Sequence, residues 1–328
     1  MSSEWKQRRE GGSPLAMRLL RALSCRLGRG PARLLLYPIV LYFLLRRGAE
    51  RQDSRAYLNR VLGRPATLRD VARHIHTFAS TILDRVFLLR EDIRGFDVRT
   101  EGLGTLNRHL DAGRGVLLFG SHLGSFEALR VLSRQRPECK IRVLLDRSHS
   151  RAVTEMLDAL NPEIAASVID AGQDGPSIAL AIGEALSQGA MVALLVDRSH
   201  AGSAVEYVPF LGEPAAFPTA PWLLAAVLKV PVMLTFGLYR GGNRYDLVFE
   251  PFSEGIELPR GKRREGVVAL IRRYAARLEH HARSAPYNWF NFYDFWKRDD
   301  AVATTGHGLP AADAAGHAGI DGVRRTAG

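Results

Sequence analysis

His122 and Glu127, in Gly120-Ser-His-Leu-Gly-Ser-Phe-Glu127, pair an imidazole with a carboxylate, the equipment of general-base chemistry. Imidazole is the side chain whose charge changes near neutral pH. A carboxylate beside it fixes the tautomer and stabilises the imidazolium formed when the ring takes a proton. A separation of five is not the helical pair spacing of three or four. The two side chains therefore meet only if His122 lies just outside a helix and folds back toward Glu127.

The flanking residues say what would position them. Val116 to Phe119 are four consecutive apolar residues between Gly115 and Gly120, which reads as a buried strand of an α/β sheet. Leu123, Phe126, Leu129, Val131 and Leu132 then fit a helical stripe. His122 is thus predicted at the carboxyl end of a strand, beside a helix N-terminus. In open α/β sheets ligands bind at that edge, where free N–H groups meet developing negative charge.

Two further apolar runs end in the same dipeptide: Leu144-Leu145 precedes Asp146-Arg147, and Leu195-Val196 precedes Asp197-Arg198. As parallel neighbours of the His122 strand they would deliver carboxylates and guanidinium groups to one rim, where arginine binds phosphate or an oxyanion. The alternative is that each pair closes a loop with a salt bridge and a cap. Gly120-Ser-His-Leu-Gly124 has His at its centre and is not a nucleophile elbow, and Ser121 and Ser125 are weak nucleophile candidates, because nothing identifies an accompanying acid in the expected order. His74 and His76, two apart on a helical pattern, face differently, and the adjacent His280 and His281 are expected toward solvent. No metal and no cofactor is expected.

The 328 residues, 46% of them hydrophobic, can build a substantial core, and two distant cysteines, Cys25 and Cys139, make no disulfide framework. The net charge of +11 is concentrated at one end. Through Arg64 there are fourteen basic and four acidic residues, a balance of +10, which leaves about +1 for the rest. Within this basic stretch the twelve uncharged residues Leu34 to Leu45 are short of the ~20 that a bilayer-spanning helix needs. Interfacial or re-entrant attachment suits them, with Tyr37 and Tyr42 at headgroup level and Arg33, Arg46 and Arg47 facing an anionic leaflet. A buried core helix is the alternative. Arg46 and Arg47 stand where a signal peptide needs small residues. Nucleic acid is not the expected partner, since no reading motif accompanies the charge.

Helices are predicted at Ser54 to Leu62 and Thr67 to Leu89. Strands follow at Val116 to Phe119, Ile141 to Leu145, Ala166 to Ile169, Met191 to Val196, Val230 to Phe236 and Tyr245 to Phe249. Helices intervene near Ser125 to Arg136, Ala152 to Leu160, Pro176 to Ser187 and Pro218 to Leu228, and a basic helix covers Arg263 to Arg283. The expected fold is α/β, a central mixed, largely parallel sheet flanked by helices, with a basic helical arm that associates with membrane. The division is an arm at 1–49, a domain at 50–300 and a disordered tail at 301–328.

His122-Leu-Gly-Ser-Phe-Glu127, Leu194-Leu-Val-Asp-Arg198, Val208-Pro-Phe-Leu-Gly-Glu-Pro214 and Phe217-Pro218, in that order, resemble the lysophospholipid acyltransferase superfamily. Within it the chain is similar to the bacterial lipid A biosynthesis lauroyl/myristoyl acyltransferases over Leu34 to Trp296. The resemblance implies that His122 is the base on an acceptor hydroxyl or amine and Glu127 its orienting acid. The acceptor would attack a thioester of acyl carrier protein or CoA directly, at the cytoplasmic face of a bacterial inner membrane. Ser125, Arg147, Asp197 and Arg198 are then the candidate substrate-binding residues. The chain departs from the pattern at Asp197-Arg-Ser, where an Asp-Gln-Asp type block is common. Its block Asn288-Trp-Phe-Asn-Phe-Tyr-Asp-Phe-Trp296 resembles acyltransferases of aryl-polyene or xanthomonadin-type clusters, which widens the acceptor to other lipid-like molecules. That block either packs the core or lines an acyl groove. A thioesterase working from the same base, and a silent lipid-binding protein, are the competing functions.

Overall fold

The computed structural model describes residues 22–26, 28–90, 93, 95–130, 140–147, 151–199 and 203–297. Short helical turns at Arg29–Ala32 and Arg33–Leu35 lead into helices α1 (Leu36–Arg46), α2 (Gly48–Leu62) and α3 (Leu68–Leu89). Then come β1 (Asp97–Glu101), α4 (Leu103–Asp111), β2 (Val116–Gly120), a 3-10 turn (Phe126–Arg130), β3 (Ile141–Leu145), α5 (Arg151–Leu160), a turn at Pro162–Ala166 and β4 (Val168–Asp170). The chain continues through α6 (Gly175–Ser187), β5 (Met191–Leu195), β6 (Val205–Phe210), β7 (Glu213–Pro218), α7 (Ala220–Leu228), β8 (Val232–Gly241), β9 (Arg244–Ser253) and α8 (Arg263–Ser284).

Seven strands form one sheet in the order β1-β9-β8-β2-β5-β3-β4, with every pair parallel except the β8/β9 hairpin. The expected mixed, largely parallel sheet is what the chain forms. β2 lies at its centre, between β8 and β5, and all five of its residues are buried. Its uninterrupted apolar run follows from burial on both faces. Leu117 and Phe119 enter a core that holds Trp222 of α7 and Tyr274 of α8, while Val116 and Leu118 enter one that holds Leu88 of α3 and Leu106 of α4.

Helix α3 starts at a capping box, in which Thr67 accepts the Asp70 N–H and Asp70 accepts the Thr67 N–H. Its residues enter three separate cores, which is why burial spreads beyond the single stripe its sequence shows. Helix α1 packs on α3 through Leu36 and Val40. Its other face, with Leu34 just before it, carries Tyr37, Leu41, Tyr42 and Leu45, and these five are each 53–70% exposed. Neither sequence alternative is complete: the segment is half core and half exposed apolar stripe. Among the described residues no helix is long and apolar enough to cross a membrane.

Local patterning missed three strands and one helix. β1 is a sheet edge with mostly exposed residues, β6 and β7 form a separate hairpin containing three prolines, and α4 is a short helix between β1 and β2. The strand expected at Ala166 to Ile169 is shorter, because Ala166 closes a helical turn. The helix expected from Ser125 is a 3-10 turn as far as Arg130, and its continuation lies outside the described residues, as do Cys139 and the tail from 301. His281 is not toward solvent: it is 6% exposed and bonds the Glu250 carboxylate at 2.8 Å, because it sits on the face of α8 that packs on the β8/β9 hairpin.

Candidate active site

β2 ends at Gly120, and the chain then runs beside the C-terminal aromatic segment instead of entering a helix. Leu123 bridges Trp289, Gly124 N–H donates to the Asn288 carbonyl at 2.8 Å, and Phe290 N–H donates to the His122 carbonyl at 2.9 Å. On its other side the loop touches β8, where Ser125 N–H donates to the Gly237 carbonyl at 2.7 Å. Gly124 has φ +77°, and a Cβ there would run into the Gly237 carbonyl, so only glycine permits this approach. The His122 loop is therefore held by backbone bonds to two distant elements.

The carboxylate that faces the imidazole comes from the neighbouring strand. β5 pairs with β2 in parallel, Gly120 opposite Leu195, so the residues just beyond each strand share one rim. Asp197 accepts from His122 Nδ1 at 2.8 Å through Oδ1 and from His122 backbone N–H at 3.0 Å through Oδ2. Trp289 Nε1 also donates to Oδ2, at 3.0 Å. An ionised carboxylate accepts only, so the His122 proton sits on Nδ1 and the Nε2 lone pair is free. The His122 side chain is 33% exposed, so the ring is not sealed from a reactant.

Burial would raise the Asp197 pKa, but the charge and hydrogen bonds of His122 and the charge of Arg198 hold it well below the usual carboxylate range. Burial lowers the His122 pKa, Arg198 and Arg85 lower it further, and Asp197 opposes them. A base with a lowered pKa is neutral and ready at pH 7.

Glu127 lies elsewhere in the same loop. It pairs with Arg85 of α3 at 2.7 Å and accepts from the Ser125 hydroxyl at 3.3 Å. Five residues along a loop and a 3-10 turn do not fold it back onto Nδ1, the position Asp197 takes. Arg198 also stays at the site: its Nη2 donates to the Phe290 carbonyl at 2.5 Å and its guanidinium lies 5.4 Å from the Tyr293 ring centroid. Arg147 does not join them. β3 is separated from β2 by β5, and Arg147 closes a loop through the Ala165 carbonyl at 2.7 Å.

Reading the sequence alone missed Arg85 and Trp289. Arg85 is one charge within the helical pattern of α3, and Trp289 is one ring in a crowded aromatic block. Neither has a local signal of its site. Trp289 packs against Tyr57, Phe210, Phe295 and Trp296, so the block is largely core, and it also reaches the rim that holds His122 and Asp197.

No candidate cluster of three metal-ligating side chains occurs among the described residues. A rim that joins an oriented imidazole to two arginines has the parts for acyl transfer, a base for the incoming group and cations for developing negative charge. A comparison with curated proteins returned no match. A family model does match, over residues 66–298, a span that includes His122, Glu127, Asp197 and Trp289, and its description is bacterial lipid A biosynthesis acyltransferase. The chain belongs to that family and is a lipid acyltransferase, a protein that takes an acyl donor and a lipid acceptor.

Proposed function

We propose that the protein transfers an acyl group from a thioester, carried by acyl carrier protein or CoA, to a hydroxyl or amine of a lipid-like acceptor, with His122 as general base and Asp197 as its orienter. The observation that carries this reading is the Asp197 bond to His122 Nδ1, which leaves Nε2 as the lone-pair nitrogen on a partly exposed ring. Nε2 takes the acceptor proton as the acceptor oxygen or nitrogen bonds to the thioester carbonyl carbon. The carbonyl oxygen becomes an oxyanion, its collapse breaks the carbon–sulfur bond, and the departing sulfur takes the proton back from Nε2. Arg198 supplies positive charge for the oxyanion. Glu127 holds Arg85 and Ser125 in place and completes the substrate-binding surface with them. Arg147 serves its own loop.

His122→Ala is expected to lower transfer by about 10²–10⁴-fold. The assay follows a radiolabelled acyl group, presented on acyl carrier protein and on CoA in parallel, into host membrane lipids. Wild-type transfer by the variant sinks the reading, and label recovered only as free acid in the wild type assigns a thioesterase instead.

The reading places the enzyme on the cytoplasmic face of the inner membrane, attached through the exposed stripe of α1. Among the described residues through Arg64, several arginines already have protein partners. Arg29 bonds Asp84, Arg33 bonds Gly242 and Tyr239, Arg47 pairs with Glu50, Arg60 with Glu213 and Arg64 with Asp70. Attachment combines apolar burial with the charge of Arg26, Arg46 and Arg55, which are exposed for lipid phosphates. Replacing Leu41 and Leu45 together by Asp removes about 2 kcal/mol of that burial and is expected to weaken binding to phosphatidylglycerol-containing vesicles at least tenfold. Unchanged cosedimentation with the vesicles rejects α1 as the anchor.

A further inference from the structure

We infer that Trp289 is a positioning residue for the reaction, and that its indole N–H holds the Asp197 carboxylate in the orientation that makes His122 a base. The inference rests on the reading of His122 and Asp197 given above. Trp289 is fully buried, and its Nε1 donates to Asp197 Oδ2 at 3.0 Å. Oδ2 also accepts the His122 backbone N–H, so two fixed donors hold one oxygen and the other is left to face Nδ1. Without the indole, one donor in place of two holds Oδ2, and the carboxylate turns more readily about its last bond to share Nδ1 between both oxygens.

The indole is itself fixed from three directions. The bridge to Leu123 sets its register against the His122 loop. Asn288, one residue before, bonds both backbone groups of Tyr239 on β8, at 2.7 and 3.1 Å. On the far side His74 Nε2 meets the Trp289 carbonyl at 3.0 Å, while His74 Nδ1 meets Ser54 Oγ at 2.8 Å. A carbonyl only accepts, so His74 carries its proton on Nε2 and accepts the Ser54 hydroxyl at Nδ1. Burial lowers the His74 pKa to about 4, which keeps this arrangement neutral at physiological pH. Ser54 on α2 and His74 on α3 thus buttress the aromatic segment, and Trp289 transmits that support to the rim.

A Trp in a packed aromatic cluster also fills space, so the test separates shape from the N–H. The tryptophan analogue with sulfur in place of the ring N–H, 3-benzothienylalanine, is introduced at position 289 alongside Trp289→Phe and His122→Ala. Turnover is read as thiol release from dodecanoyl-CoA with host membrane lipids as acceptor, and the His122 ring is titrated by ¹⁵N NMR. The groups that act on the His122/Asp197 pair are Arg198 on its own loop, Arg85 on α3, Tyr274 on α8 and Tyr293 beyond Trp289, with Glu127 of the 3-10 turn paired to Arg85 behind them. All of them are retained in the two position-289 variants.

Loss of the N–H leaves more negative charge on Asp197 for the imidazolium. Both variants are expected to lower kcat about tenfold with KM unchanged and to raise the His122 pKa, while the sulfur analogue keeps the wild-type melting temperature. A wild-type kcat and His122 titration in the sulfur analogue overturns the positioning role, provided His122→Ala is inactive. An active His122→Ala overturns the general-base reading and the role of Trp289 with it.

Discussion

Asp197→Asn is expected to lower kcat by about 10³–10⁴-fold with little change in fold, whereas Glu127→Gln costs on the order of tenfold. The difference follows from which atoms face each carboxylate. Oδ2 of Asp197 receives two N–H groups, from the His122 backbone and Trp289. In the Asp197→Asn variant the amide oxygen must take that place, which turns the NH₂ group toward Nδ1. Nδ1 then becomes an acceptor, the ring proton moves to Nε2, and the base has lost its lone pair. Glu127 touches Arg85 and Ser125, so its amide weakens an ion pair without altering the ring. The pH profile adds a sign. Because the His122 pKa is lowered, kcat/KM of the wild type should rise with pH and level off below the ordinary imidazole value of about 6.5. Steady-state kinetics of the two variants across pH 4.5–8 decide the assignment. A Glu127→Gln enzyme as damaged as Asp197→Asn would count against Asp197 as the orienter, and a plateau reached only above pH 7 would count against burial and the two arginines outweighing Asp197 at His122.

Arg29→Met should cost about 3–5 kcal/mol of stability, far more than a surface arginine is worth. Asp84 is completely buried on α3, and Arg29 meets it with two hydrogen bonds, at 2.7 and 2.8 Å. Tyr245 donates to the same carboxylate at 2.8 Å. Removing Arg29 strands a buried negative charge with one hydroxyl to solvate it. Arg29 and Arg33 also converge on the Gly242 carbonyl at the β8/β9 turn. The pair therefore locks the helical turns at Arg29–Leu35 to the sheet, and α1, which follows directly, is oriented by them. Chemical denaturation checks the magnitude, and the double variant with Asp84→Asn is expected to regain about half of the loss, since a neutral amide still accepts from Tyr245. A single variant within about 1 kcal/mol of wild type would show that the pair is not a structural lock.

Local pattern carried the layered fold a long way. Four apolar residues between glycines are a strand because a two-sided sheet buries every side chain, and β2 is buried in full. The βα alternation that follows implies parallel strands, and with them a rim where strand ends collect. That reasoning placed His122 and Asp197 at strand ends from residue types alone. Elements without apolar periodicity stayed hidden: β1 is an exposed edge, and the β6/β7 hairpin is interrupted by prolines.

The partners of those residues were decided by the tertiary structure. His122 and Asp197 are 75 residues apart, and they meet because β5, and not β3, lies beside β2; periodicity says which residues form strands but does not encode strand order. The same adjacency leaves Arg147 outside the site although its dipeptide is identical. Glu127 follows the docking of α3, which brings Arg85 to it, and Arg29, Arg33 and Arg60 follow the carboxylates and carbonyls that folding carries to them. Sequence by itself determined which side chains could do chemistry and at which edge, because burial and local geometry are written in neighbouring residues. The choice of Asp197 over Glu127 at Nδ1, with the indole of Trp289 behind it, belongs to contacts between segments that only the assembled sheet brings together.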